Sequence, residues 1–295
     1  MSDYHLHLHP HVGFDGEATG VPQGRYPPGH IEAYVETAAA RGVTELGFTE
    51  HLYRCKEAAP VLGRFWEAPG TPDDVAELSR AMVEADLTLS LDDYVDAVVA
   101  AKDAGLPVKL GLEVDFFPDT IDAVLDLLEP YPWDFLIGSV HWIGGWAIDA
   151  SHSLHEFQRR GVAEAWRQYF DLEAELAASG AVDVLAHVDV IKKYGLRPDV
   201  DPSGWYDAVV SAAAESGTAV EVSSQGLRKP AREVYPAPEF LERFHAAGVP
   251  ITLASDAHVP EEAAWGHAEV VAAAKAAGYT THLVFEKRRP SEVPL

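Results

Sequence analysis

The chain has 295 residues, enough for one large domain or two small ones. Its 47% apolar and 23% charged residues match an ordinary globular protein and exclude a disordered or fibrous chain. With 22 Lys and Arg against 47 Asp and Glu, the net charge of −25 disfavours nucleic acid and anionic membrane surfaces as partners. The one cysteine, Cys55, excludes an internal disulfide framework and suits a reducing cytoplasm. The opening MSDYHLHLHPH has neither the basic nor the apolar stretch of a signal peptide, and no apolar run approaches the ~20 residues of a membrane span. The expectation is a soluble, cytoplasmic protein.

In chain order, SDYHLH supplies a first predicted strand. One phrase then recurs: an Ala-rich amphipathic segment, a glycine, and a short β-branched or apolar run. It covers 36–48, 98–114, 175–187, 211–223, 243–255 and 272–285. Gly42, Gly105, Gly180, Gly217, Gly248 and Gly278 stand where a helix ends in a left-handed residue, a position at which a side chain clashes. Each following run has the length and composition of a strand. A further strand, WDFLIGSVH at 133–141, follows a predicted helix over 119–130.

About eight strands alternating with helices predict a parallel sheet with crossover helices. An open doubly wound sheet and a closed barrel share this local pattern, and the length favours the barrel, for which ~250 residues is typical. No Gly/Ser-rich linker divides the chain, so 1–295 reads as a single domain. Residues 52–90, with Phe65 and Trp66, form a longer excursion that is either a side wall or lid over a site or an ordinary insertion.

The strand ends carry the chemistry. The first finishes in His5 and His7, with His9 and His11 just behind. The next end in His51, Glu113, His141 and His187, and ITLASDAH ends in Asp256 and His258. In a barrel all these ends open on one face, the face that carries active sites. A lone strand-end histidine is ordinarily a hydrogen-bonded surface or core residue. Six independent placements are harder to explain that way. With a period of two, His5 and His7 share a strand face and can grip one ion. Imidazole with carboxylate and no thiolate suits Zn, Mn or Fe, and the donors outnumber what one ion can use. A multinuclear site with a bridging carboxylate such as Glu113 follows. His30, His152, His155, His245, His267 and His282 lack this placement and read as structural.

These residues resemble a known family. D-Y-H-L-H at 3–7, F-T-E-H at 48–51, G-L-E-V-D at 111–115, G-S-V-H at 138–141, A-H-V-D at 186–189 and S-D-A-H at 255–258 look like the successive motifs of the polymerase and histidinol phosphatase (PHP) superfamily. G-S-V-H-W, Q-G-L-R-K-P at 225–230 and E-V-Y-P-A-P at 233–238 resemble its histidinol-phosphatase branch. The likeness runs from residue 3 to about 290. It implies an α/β fold, a distorted (β/α)7 TIM-like barrel, with a trinuclear metal site at the C-terminal ends of the strands. Carried over, His5, His7, Glu113 and Asp256 would hold a first ion. Glu113 would bridge to a second held by His141 and His187, and His51 and His258 would hold a third. The family usually places a ligand six residues after the second His of His-x-His, where this chain has Gly13. His11, Asp15 and Glu17 are the candidates, and His11 is taken because imidazole is the commoner ligand there.

A cluster of two to three divalent ions lowers the pKa of a water and binds phosphate oxygens, which suits attack on a phosphomonoester. Glu113, Asp256 and His258 are the catalytic candidates. Arg228, beyond the strand TAVEVSS, can reach the same face and clamp phosphate bidentately, and Arg54 is a second candidate. No G-x-S-x-G elbow and no Walker A loop occurs. The expected activity is metal-dependent hydrolysis of a small phosphorylated substrate, L-histidinol phosphate, to L-histidinol and phosphate in histidine synthesis. Another small phosphoester, a phosphotyrosyl protein, or a non-catalytic metal-binding role are the alternatives. Oligomeric state is not readable from the chain.

Overall fold

The computed structural model describes residues 1–8 and 26–295. All six glycines of the recurring phrase have positive φ, from 62° at Gly180 to 109° at Gly278. There the chain leaves each helix and turns back towards the sheet without the steric penalty a Cβ would incur. The strands are β1 (Ser2–Leu6), β2 (Glu45–Phe48), β3 (Val108–Leu110), β4 (Glu113–Asp115), β5 (Ile137–Ser139), β6 (Trp142–Ile143), β7 (Trp146–Ala147), β8 (Val184–Leu185), β9 (Ala219–Ser223), β10 (Ile251–Ala254), β11 (Thr281–Glu286) and β12 (Arg289–Pro294).

β1, β2 and β3 pair in parallel, as do β4, β5, β8, β9 and β10 in the order 4-5-8-9-10. Two seams join the sets. β3 and β4 are halves of one extended segment, and the Gly111 and Glu113 amides donate to the Phe48 and Glu50 carbonyls at 2.8 and 2.9 Å. On the other side the His7 amide donates to the Ala257 carbonyl at 2.8 Å, tying the end of β1 to the end of β10. The result is a closed ring of seven parallel strand positions, a (β/α)7 barrel. Strand closure leaves no edge, and the ring of helices covers the outside.

Alternation along each strand sorts the side chains. In β9, Val220 and Val222 pack outward against the helix layer, while Ala219, Glu221 and Ser223 face the other way. On 108–115 the outward set is Val108, Leu110, Leu112 and Val114, leaving Lys109, Gly111, Glu113 and Asp115 for the interior. The register of β1 with β2 shifts between Asp3 and Leu6. Tyr4 therefore joins the inner cluster, Leu6 the outer one, and His5 and His7 still meet.

An aromatic layer fills the base of the barrel. Tyr4, Phe135 and Phe285 form it, with Ile137, Val184, Ala186 and Ala219. Phe135 needs the space of two glycines, because a Cβ at Gly47 or Gly111 would lie 2.5 Å from its Cζ. The last predicted strand is present but is not an eighth barrel strand. β11 instead forms an antiparallel hairpin with β12, and Phe285 beneath the ring makes it a plug. The short apolar run in THLVFE serves an antiparallel ribbon as well as a parallel strand, so the sequence pattern does not separate the two.

Residues 52–90 form a packed side wall. Phe65 lies 4.3 Å from Phe117 and 5.0 Å from Trp142, ring to ring. Ser79, on the helix Asp73–Asp86, donates to the Gly145 carbonyl at 2.6 Å in the β6–β7 hairpin. No helix among the described residues is long and apolar enough to cross a membrane.

Candidate metal centre

Glu113 sits at the middle of the barrel mouth with no solvent exposure. Its carboxylate faces five imidazoles: His51 at 2.8 Å, His187 at 3.1 Å, His5 at 3.3 Å, His141 at 3.4 Å and His7 at 3.6 Å. Asp256 stands opposite, 3.2 Å from His7 Nε2 and 3.6 Å from His5 Nε2. Four overlapping groups have donor atoms within 4.8 Å of one another: His5, His7 and Glu113; His51, Glu113 and His141; His5, His187 and Asp256; and His7, His51 and His258. Every described residue expected as a ligand belongs to at least one of them. His11, with its alternatives Asp15 and Glu17, lies outside the described residues.

The grouping differs from the expected partition. His51 was expected only in the third set, with His258, yet its Nδ1 also reaches Glu113, so that set shares an imidazole with the second. His187 likewise groups with His5 and Asp256 as well as approaching Glu113. Its placement depends on backbone conformation. β8 ends at Leu185, Ala186 faces the interior, and alternation would send residue 187 outward. A φ of 22° at His187 turns it back. Asp256 also has a left-handed φ, 50°. Such conformations cost of order 1–3 kcal/mol each and are held only where surrounding contacts enforce them.

The residues present fit divalent cations. Glu113 Oε2 and Asp256 Oδ1 are buried and accept no hydrogen bond among the described residues, although several imidazole nitrogens point at them. Burial opposes ionisation of Glu113, but the His51, His5 and His141 imidazoles outweigh it and hold the carboxyl well below its usual range. Asp256 is held down likewise, by His5 and His258 against burial. Burial drives His51 down to about 3 and His258 well below its usual value, which keeps both in the neutral form that ligates metals. Burial is overcome at His141, which Glu113 and a hydrogen bond with Asp115 push up to about 9. Nitrogen and oxygen donors without thiolate are the set chosen by Zn, Mn and Fe.

Behind these candidate ligands stand carboxylates that the sequence motifs alone do not single out. Asp115 Oδ1 lies 2.9 Å from His141 Nδ1, and its Oδ2 accepts the Tyr53 amide at 3.0 Å. Glu221 Oε2 lies 2.7 Å from His5 Nδ1. Asp3 accepts from the Ser255 amide, the Ser255 hydroxyl and the Ala264 amide at 2.9, 2.6 and 2.8 Å, which anchors the chain just before Asp256. Gln225 donates to Asp256 Oδ2. Asp115 lies inside the quoted motif G-L-E-V-D, and Glu221 is the one charged residue of the buried strand β9.

A family model described as the PHP domain matches residues 5–225, three quarters of the chain. The chain belongs to the PHP domain family. Among curated relatives, a probable histidinol-phosphatase of Deinococcus radiodurans is 32% identical over 92% of this chain and 91% of its own length. The histidinol-phosphatase of Lactococcus lactis is 23% identical over 87% of this chain and 84% of its own. Among solved structures, the Lactococcus lactis histidinol phosphate phosphatase with zinc, L-histidinol and phosphate matches with a TM-score of 0.71 at 21% identity, covering 98% of both chains. A putative histidinol phosphatase of Listeria monocytogenes matches at 0.70 and 19%, over 91% of this chain and 99% of that one. These likenesses support the barrel described above.

The two candidate arginines differ. Arg228 lies at the rim, where Nη2 donates to the carbonyls of Ser255 and Asp256 at 2.7 and 3.2 Å and Nη1 pairs with Glu262 at 2.6 Å. Arg54 is buried, with Nη1 3.8 Å from Glu50. Of the histidines expected to be structural, His30 is buried against the Leu8 carbonyl at 2.7 Å and His245 packs edge-on to Tyr279.

Proposed function

We propose that this PHP protein hydrolyses L-histidinol phosphate to L-histidinol and phosphate, using two to three divalent ions, Zn, Mn or Fe. The observation that carries the reading is Glu113: one buried carboxylate shared by two ligand groups at the mouth of the barrel. In this reading His5, His7, Glu113, His51, His141, His187, Asp256 and His258 hold the ions. When bound, the ions supply Lewis acidity towards phosphate oxygens and lower the pKa of a water.

The chain's own groups do the rest. Glu113 and Asp256 stay ionised and balance the cations, and the aromatic layer at the base closes the site from below. Arg228 is pinned by two backbone carbonyls, so its orientation is set before substrate arrives. A phosphate exchanging with Glu262 at Nη1 would meet a preformed donor. Arg54, buried beside Glu50, is left out of phosphate binding. A cytoplasmic setting belongs to the same proposal and suits a chain whose one thiol is buried.

The test is steady-state kinetics on L-histidinol phosphate beside p-nitrophenyl phosphate, with metal-stripped and zinc-reconstituted protein. Metal-dependent turnover with a higher kcat/KM for L-histidinol phosphate is expected. Equal values would point to a different phosphoester. Full metal occupancy with no turnover of either would make the chain a metal-binding module.

A further inference from the structure

Glu221 belongs to none of the four ligand groups, yet it touches two of the strand ends that build them. It is buried, in the middle of β9, on the inward face with Ala219 and Ser223. Both carboxylate oxygens are engaged. Oε2 lies 2.7 Å from His5 Nδ1, and Oε1 accepts the His187 amide at 3.2 Å. A carboxylate at that distance requires a proton on Nδ1, which leaves the Nε2 lone pair for a metal. His5 Nε2 in turn points into the knot of donors, 3.1 Å from His7 Nε2, 3.3 Å from Glu113 and 3.6 Å from Asp256. The second contact falls on the residue whose φ of 22° brings an off-phase imidazole into the site.

We infer that Glu221 is a positioning residue of the metal centre: it sets the tautomer of His5 and holds the turned backbone of His187, and so controls metal affinity without ligating metal. The inference rests on the metal-binding reading above. Carboxylates behind a ligating imidazole fix its ring and raise its basicity, and their loss ordinarily weakens metal binding 10–100-fold. Glutamine at 221 has nearly the same shape but one acceptor oxygen, so it can serve the imidazole or the amide but not both.

The test is zinc affinity, read by chelator competition on the purified full chain, for wild type, Glu221→Gln and Val222→Ala. Val222 is the outward neighbour on the same strand, so its truncation loosens the fold without touching either contact. Glu221→Gln is expected to weaken zinc binding about 10–100-fold, while Val222→Ala lowers Tm and leaves zinc affinity within twofold. Unchanged affinity in Glu221→Gln, or an equal loss in Val222→Ala, overturns the inference. A wild-type structure with zinc bound decides the matter even if Glu221→Gln does not fold. His5 Nε2 should lie about 2.0–2.1 Å from an ion, with Glu221 still on Nδ1. A Glu221 oxygen bonded to zinc would refute a positioning role. Absence of zinc binding by the wild type would instead defeat the metal reading itself.

Discussion

Replacing Glu113 by Gln keeps volume and shape but removes one negative charge from the centre of five imidazoles. At an effective dielectric constant of about 20, unit charges about 4 Å apart interact by roughly 4 kcal/mol, so a carboxylate and one divalent ion interact by roughly 8 kcal/mol. If desolvation cancels three quarters of that, about 2 kcal/mol per ion remains, or roughly 30-fold in each dissociation constant. Because Glu113 is common to the group with His5 and His7 and the group with His51 and His141, two ions should loosen together. Zinc per chain, measured by emission spectrometry after dialysis against a chelator of graded strength, should therefore fall by two in one step. Turnover of L-histidinol phosphate should be abolished. Loss of a single ion would place Glu113 in one group only, and full occupancy with normal turnover would refute the bridging assignment outright.

Arg228→Ala should raise KM for L-histidinol phosphate roughly tenfold, the worth of a charge-assisted hydrogen bond, with zinc content unchanged; loss of zinc with an unchanged KM would make Arg228 a support for Asp256 instead. Gly111→Ala forces a methyl to 2.5 Å from Phe135 Cζ and 2.9 Å from the Phe48 carbonyl, and overpacking of this kind costs about 1–3 kcal/mol. Calorimetry should show Tm lower by roughly 2–5 °C, and an unshifted Tm would mean the aromatic layer yields easily. Asp3→Asn turns an amide donor towards the Ser255 and Ala264 donors and should cost about 1–3 kcal/mol in urea unfolding; an unchanged midpoint would show that this junction carries no load.

What the sequence made legible was the set of strand ends. His5, His51, Glu113, His141, His187 and Asp256 each close a recognisable run, and a barrel converts that one-dimensional regularity into a shared mouth. The glycines after the helices were legible for an equally local reason, the steric demand of a left-handed residue. Glu221 and Asp115 were not, because a carboxylate inside a strand gains its meaning only from the imidazole of another strand. Arg54 and Arg228 are alike as letters, and only packing against Glu50 or against the Ser255 and Asp256 carbonyls tells them apart. The role of THLVFE depends on a partner, residues 289–294, that carries little strand character of its own.

The seam between β1 and β10 bears on the order in which the molecule is assembled. Residues 5–7 are made some 250 residues before β10, yet His7 has its backbone partner in Ala257 and its side-chain neighbour in Asp256. During elongation the first strand can pair with β2 on one side only, and its histidines wait beside an unfinished ring. The ligand groups that include Asp256 and His258 come into being only when the ring shuts, some 250 residues later. An ion held there would fasten the two ends of the barrel to each other. Capture of a cation by those two groups would therefore coincide with completion of the native topology, whereas the group of His5, His7 and Glu113 and the group of His51, Glu113 and His141 need no part of β10.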